Sequence, residues 1–184
     1  VMLVGVGVAY AALSTTLNIT FGSVTQSSLV WSVVFDTQAS GGVVAAGTSA
    51  TGRTCGTATV TADSVTVADT TLSKPDDKCT YTLVVANTGT IDATLASITP
   101  TAPTATPAVN PVCTTASGGT MECGNIKYQL TTDPAGTTAL TTGGTLATGA
   151  TQTMYLVVSY IAEGVQASAI TQTGAKFTLV YNQV

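Results

Sequence analysis

The chain has 184 residues, of which 45% are hydrophobic and only 8% charged, where an average soluble domain has about a quarter charged. That is long enough for one domain with a real core, but its surface has to be covered by threonine, serine, glycine and backbone, and threonine fills about one position in five. A net charge of −4 and an isoelectric point near 4.3 argue against nucleic acid as a partner, because a phosphate backbone calls for a basic patch that five Lys and Arg do not make; low charge also weakens mutual repulsion and favours self-association.

The chain opens on Val1, Met2, Leu3, Val4, Gly5, Val6, Gly7, Val8, Ala9 and Tyr10, followed by Ala11-Ala12-Leu13, without a single charge. A membrane-spanning helix needs roughly 20 apolar residues, so this stretch is too short. Ala9-Tyr10-Ala11 has the small-x-small form of a signal-peptidase site, which makes a secretory remnant one reading. Against it, the chain begins on Val1 without a basic n-region, as expected of a segment kept after upstream processing. The period-two pattern gives the other reading. Val4, Val6 and Val8 alternate with Gly5 and Gly7, so a strand here carries branched side chains on one face and bare backbone on the other. Such a strand suits insertion into the groove of a second subunit, as in strand addition; an edge strand of its own molecule remains the alternative. Residues 1–13 are therefore expected to be a donor strand, and 14–184 the domain that follows.

Residues 14–21 alternate polar with apolar as a strand with one wet face, and Asn18-Ile19-Thr20 within them is an acceptor triplet for N-glycosylation. The apolar density of 28–36 predicts a central strand covered on both faces, with Trp31 as a core anchor. The Gly, Ala, Ser and Thr of 39–52 read as a long surface loop. Strands follow at 58–62 and 64–68, then a charged turn over 72–78 with Pro75 at its corner. Residues 79–87 read as a strand that Asn87-Thr88-Gly89-Thr90 turns into 91–98, a β-hairpin.

Four of the six prolines fall within 99–111, a composition that favours extended, polyproline-like chain exposed outside the sheet. Further strands are expected over 124–131, 154–160 and 176–184, with turns at 133–136 and 141–144 and either a helical turn or loop over 163–173. Cys55, Cys79, Cys113 and Cys123 allow three connectivities. Pairing neighbours, Cys55 with Cys79 and Cys113 with Cys123, gives the smallest loops, each bracketing a turn, and implies an oxidising compartment. Eight to ten short strands with turn signals between them predict an all-β fold, a β-sandwich or jelly roll with an N-terminal donor strand.

Nothing in the chain suggests catalysis. There is no histidine to act as a general base or metal ligand, no CxxC pair, no nucleophile elbow, no phosphate loop and no dinucleotide fingerprint. No catalytic residue, cofactor or metal is expected. Asp76-Asp77, the one close acidic pair, reads as a solvated turn. A Lys–Asn cross-link of the kind found inside some pilin and adhesin domains has Lys78, Lys127 and Lys176 as candidate amines and Asn87 and Asn182 as candidate amides, and requires a buried acid beside the pair.

The frame Leu72-x-x-Pro75-x-Asp77, then Tyr81, Asn87-x-Gly89 and Ile91-x-Ala93, resembles the TasA and camelysin group of secreted filament proteins and the related archaeal bundling pilins. The segments 10–19, 31–35 and 177–183 look like the opening and closing strands of the same group. Asp76 stands where glycine is common in that group, and the cysteines are not a feature of its bacterial members. The resemblance implies a jelly-roll subunit that polymerises by donating its N-terminal strand. The expected function is thus a structural subunit of an extracellular, cell-surface filament. Its partner is itself, with lateral bundling through 99–111 and membrane contact only during secretion. A surface-displayed binding domain, such as an adhesin or S-layer module, is the alternative.

Overall fold

The computed structural model describes residues 14–19, 30–46, 53–106, 113–116, 119–161 and 171–184. The expected donor strand, Val1 to Tyr10, lies outside them. Every regular element among the described residues is a strand, and every strand pair is antiparallel.

The strands are β1 (Ser14–Ile19), β2 (Val33–Phe35), β3 (Val43–Ala46), β4 (Ala58–Val60), β5 (Val65–Val67), β6 (Lys78–Asn87), β7 (Ala93–Thr101) and β8 (Thr104–Thr106). They continue with β9 (Cys113–Ala116), β10 (Thr120–Cys123), β11 (Ile126–Thr131), β12 (Thr145–Leu146), β13 (Thr151–Tyr160), β14 (Thr171–Thr173) and β15 (Lys176–Gln183). A four-stranded sheet has the order β1-β15-β7-β12. A seven-stranded sheet has the order β2-β6-β13-β11-β10-β9, and β3 shares the β2 side of β6. Two short ribbons, β4-β5 and β8-β14, complete the described fold.

Period-two alternation builds the core between the two large sheets. On β6, Cys79, Tyr81, Leu83 and Val85 are all fully buried. Across the ladder Met154 sits opposite Leu83, Leu156 opposite Tyr81 and Val158 opposite Cys79, so β13 adds its apolar residues to the same face. Leu130 of β11 and Met121 of β10 extend that face, while Phe177, Leu179 and Tyr181 of β15 and Ala93 and Leu95 of β7 meet it from the other sheet.

A bulge keeps β7 facing inward. Its partner β15 pairs Leu179 with Ile98 but Tyr181 with Leu95, leaving Ala96 as an extra residue. One inserted residue switches the inward parity from Ala93 and Leu95 to Ile98 and Pro100, as the apolar pattern of this segment requires.

Four sequence expectations need correction. First, 87–90 is not a hairpin, since β6 and β7 belong to different sheets. The amides of Thr88, Gly89 and Thr90 bond to the carbonyls of Ser32 and Val30, which lifts the chain away from β6 and across the core. Second, for the same reason the 28–36 strand is short and lies at the sheet's edge: only Val33–Phe35 pairs with β6, although Trp31 is buried as expected. Third, 39–52 is not all loop, because Val43–Ala46 pairs with the first half of β6. Fourth, the described part of 99–111 is in sheet and not outside it. Pro100 lies within β7 opposite Phe177, and β8 pairs with β14. Proline is tolerated here because this part of β7 has a strand neighbour on one side only among the described residues.

Candidate functional site

A domain that assembles by strand exchange needs a segment to give and an unfilled sheet edge to receive one. The margins of the four-stranded sheet are where the described residues bear on this. Its outer strand β1 pairs with β15 from Ser14↔Asn182 to Ile19↔Phe177, and the apolar residues 1–13 run directly into it. At the opposite margin β12 contributes only two residues, opposite Thr94 and Ala93, and Gly143 and Gly144 bond to the backbone of Leu95. From Ala96 to Thr101, β7 then has β15 as its only strand neighbour among the described residues. This open edge of six residues is about 20 Å long. It adjoins the core, since a Cβ on Gly119 would stand 3.5 Å from Ile98 Cγ2 and 3.2 Å from Leu130 Cβ, on either side of the gap between sheets.

Beyond the edge the same ribbon continues. Thr101 pairs with Lys176 and Thr104 with Thr173, so β8 and β14 keep the register of β7 and β15 across a break of two residues in each strand. Gln172 holds this extension against the seven-stranded sheet. Its Nε2 donates to the Cys123 carbonyl at 2.8 Å, and its Oε1 accepts from the Tyr128 hydroxyl at 3.0 Å. Burial pushes the Tyr128 hydroxyl up to about 12.

The passage from one sheet to the other is set by Asn87. Its Nδ2 donates to the carbonyls of Ile91 and Leu146, at 2.8 and 3.0 Å, and its Oδ1 accepts from the Gly89 amide at 3.1 Å. Gly89 has no substitute there, because a Cβ would collide with the Val30 carbonyl oxygen.

A disulfide and an ion pair sit side by side at the start of β6. The disulfides are Cys55–Cys79 and Cys113–Cys123. Two residues before the first pair, Arg53 Nη1 faces Asp77 Oδ1 at 3.6 Å, and the Asp77 side chain is completely buried. Asp77 Oδ2 also accepts from the amides of Ser73 and Lys74 at 3.0 Å. The Asp76-Asp77 turn is therefore not simply solvated: Asp76 is exposed with φ 68°, while Asp77 is part of the interior. A sequence signal for this was present, since Asp77 continues the odd-numbered inward parity of Cys79, Tyr81 and Leu83.

The remaining expected site residues are dispersed. Asn18 lies in β1 opposite Thr178. Of the candidate cross-linking residues, Lys78 and Asn87 are the two ends of β6, and Lys176 and Asn182 lie six positions apart in β15. Lys78 Nζ donates to the Ala135 carbonyl at 3.1 Å, and Lys127 pairs with Glu122 at 3.7 Å. The Asn87 amide is taken up by its turn. No group of three or more metal-ligating side chains occurs among the described residues. Comparison with family models, with curated proteins and with solved structures finds no match to this chain.

Proposed function

We propose that this protein is the structural subunit of an extracellular filament, a jelly-roll or β-sandwich domain that polymerises by giving residues 1–13 to the next subunit. The observation that carries this reading is the asymmetry of the four-stranded sheet, with the apolar leader running into one margin and an open stretch of β7 at the other. Thirteen extended residues reach roughly 40 Å, enough to leave one domain and run along the open edge of another. Paired there, Val4, Val6 and Val8 turn toward the gap beside Ile98, and Gly5 and Gly7 lie outward. Burial of each valine is worth roughly 1.5–3 kcal/mol, in addition to the ladder of hydrogen bonds. The two disulfides suit an oxidising exterior, and the low charge suits close packing of copies. Because donor and acceptor are different surfaces of one chain, the contact is heterologous and the assembly grows as an open polymer.

The test is deletion of residues 1–12 and, separately, Val6→Asp, followed by size-exclusion chromatography and electron microscopy of the secreted material. Both variants should be secreted, folded and unassembled. Filaments of normal appearance from the truncated chain would refute strand donation.

A further inference from the structure

Between β3 and β6 the chain leaves both large sheets. Among the described residues, β4 and β5 pair with each other alone. β5 lies beside β1 of the four-stranded sheet, and the Ala62 carbonyl accepts from the Phe35 amide of β2 at 2.8 Å, so this hairpin spans one side of the sandwich. Its underside is apolar: Val65 is fully buried, and Ala58, Val60 and Val67 pack against the core. The hairpin is thus a lid on the core that no ladder joins to either large sheet. Its two legs are tied to each other, since Thr54 and Thr71 exchange backbone bonds at 2.9 and 2.8 Å. The first leg is tied to the start of β6 as well, by the Cys55–Cys79 disulfide and by Arg53 facing Asp77, and on the second leg Thr70 Oγ1 shares a hydrogen bond with the Tyr81 hydroxyl at 2.8 Å. The ion pair is a weak fastening by itself, because a buried pair gains little over the desolvation of its charges and Arg53 Nη1 makes no hydrogen bond. The covalent bond carries the closure.

We propose that Cys55–Cys79 is a redox-releasable clasp on this lid. With the bond formed, residues 53–71 leave the core only when the whole domain unfolds; with it reduced, they open as a unit while the two large sheets stay folded. Segments without a place in a large sheet are the ones that open at a free energy below that of global unfolding. The second disulfide behaves differently, because Cys113 and Cys123 are opposed residues of β9 and β10, whose ladder keeps them together without the bond. Release is a thiol–disulfide exchange with a small dithiol. One thiolate of the reagent attacks Sγ of Cys55, which is half-buried where Cys79 is fully buried, and displaces the Cys79 thiolate, which takes up a proton. The second thiolate then closes on the mixed disulfide, frees Cys55 as a thiol and leaves as a cyclic disulfide, so two electrons and two protons pass from the reagent to the protein. The lid is therefore shut in an oxidising exterior and loose in reducing surroundings. Opening uncovers Phe35 and Tyr81, both fully buried and both bonded to the lid. The clasp belongs to the described domain and does not depend on whether the chain polymerises.

Hydrogen exchange read by mass spectrometry tests this on the full chain, first oxidised and then reduced with dithiothreitol under native conditions, beside the variants Cys55→Ser/Cys79→Ser and Cys113→Ser/Cys123→Ser. Alkylation and peptide mapping follow which thiols are free. Amides of 57–68 should exchange about tenfold faster or more in the reduced chain and in Cys55→Ser/Cys79→Ser, while those of 82–87 and of β13 keep their rates. The oxidised Cys113→Ser/Cys123→Ser chain should keep a protected lid. A lid whose exchange is indifferent to reduction would overturn the proposal, and so would lid and sheets speeding up together, the mark of global destabilisation. A Cys55–Cys79 bond that dithiothreitol does not reach in the folded chain counts against it equally. Where Cys55→Ser/Cys79→Ser folds poorly, the parent reduced from its folded state decides.

Discussion

Asp77 and Arg53 illustrate how unequal the two halves of a buried ion pair are. Asp77 keeps two backbone donors, from Ser73 and Lys74, if Arg53 is removed, whereas the buried Arg53 Nη1 has no hydrogen-bond partner beyond its ion-pair contact. Asp77→Asn should therefore destabilise the oxidised protein by about 3–5 kcal/mol, the usual cost of leaving a buried charge uncompensated, and Arg53→Met by less. Urea titration of both variants measures the difference, and equal losses would refute the asymmetry. Asn87→Ala takes this donor from the Ile91 and Leu146 carbonyls, at a cost on the order of 1–3 kcal/mol for each buried group, while the Gly89 amide keeps the Ser32 carbonyl. Asp133 acts at the surface. Its carboxylate accepts from the amides of Thr137 and Thr138, and chiefly the Thr137 backbone bond lowers it to about 2. A depressed carboxylate contributes stability that is present above the unfolded value near 3.8 and is lost as pH falls toward 2. Asp133→Asn should thus lower the urea midpoint at pH 5, and the gap to the parent should narrow progressively below pH 4.

At the scale of elements, the Cys55–Cys79 disulfide encloses the β4–β5 hairpin, whereas Cys113–Cys123 joins directly opposed residues of β9 and β10. By loop-closure entropy the first, with 24 residues of separation, is worth about 3.5 kcal/mol and the second, with 10, about 2.7 kcal/mol. Replacing Cys55 and Cys79 by serine should then lower the melting temperature by roughly 10 °C, measured by calorimetry against the parent. Of the three connectivities the sequence allows, the neighbour pairing preferred for its small loops is the one found, and that preference was legible in the spacing. The β6–β7 connection was not, because Asn-x-Gly marks a tight turn but carries no record of the Val30 and Ser32 carbonyls that pull it out of the sheet. The strand β3 was missed for a related reason, since its Gly, Ala and Val composition has no alternation until β6 supplies a partner. The bulge at Ala96 is visible in sequence only as a change of apolar parity between Leu95 and Ile98. Deleting Ala96 should therefore regularise the strand, with Leu95, Ser97 and Ile98 opposite Tyr181, Val180 and Leu179 and Ile98 still inward, whereas inserting a second residue there should turn Ile98 outward with a large drop in stability by urea titration.

Across the molecule, the two sheets are pinned together by polar tips at the ends of apolar side chains. Tyr181 donates from its hydroxyl to Gln152 Oε1 at 3.2 Å, joining β15 of one sheet to β13 of the other. Burial raises Tyr181, Tyr128 and Tyr81 above the ordinary tyrosine value of 10.0. A raised tyrosine binds its proton more tightly when folded, so this contribution to stability is complete below pH 10 and is lost as pH climbs toward the folded values. Absorbance at 295 nm should show Tyr81, Tyr128 and Tyr181 ionising only with unfolding, so that their phase coincides with loss of near-ultraviolet circular dichroism. A smooth titration complete near pH 10 in folded protein would contradict their burial.

The all-β class follows from the sequence by itself, because β-branched residues in period two, scarce charge and regularly spaced turns leave helices no apolar stripe to bury. So does the apolar leader without a single charge, which no composition argument places within a solvated surface. Tertiary structure decided which strands share a sheet, since antiparallel pairing satisfies backbone groups whichever neighbour supplies them and only packing of the two inner faces selects among the pairings. It also decided that Asp77 belongs to the interior and Val44 to the surface: burial depends on what lies opposite a residue, and for Asp77 that is Arg53, 24 positions earlier in the chain.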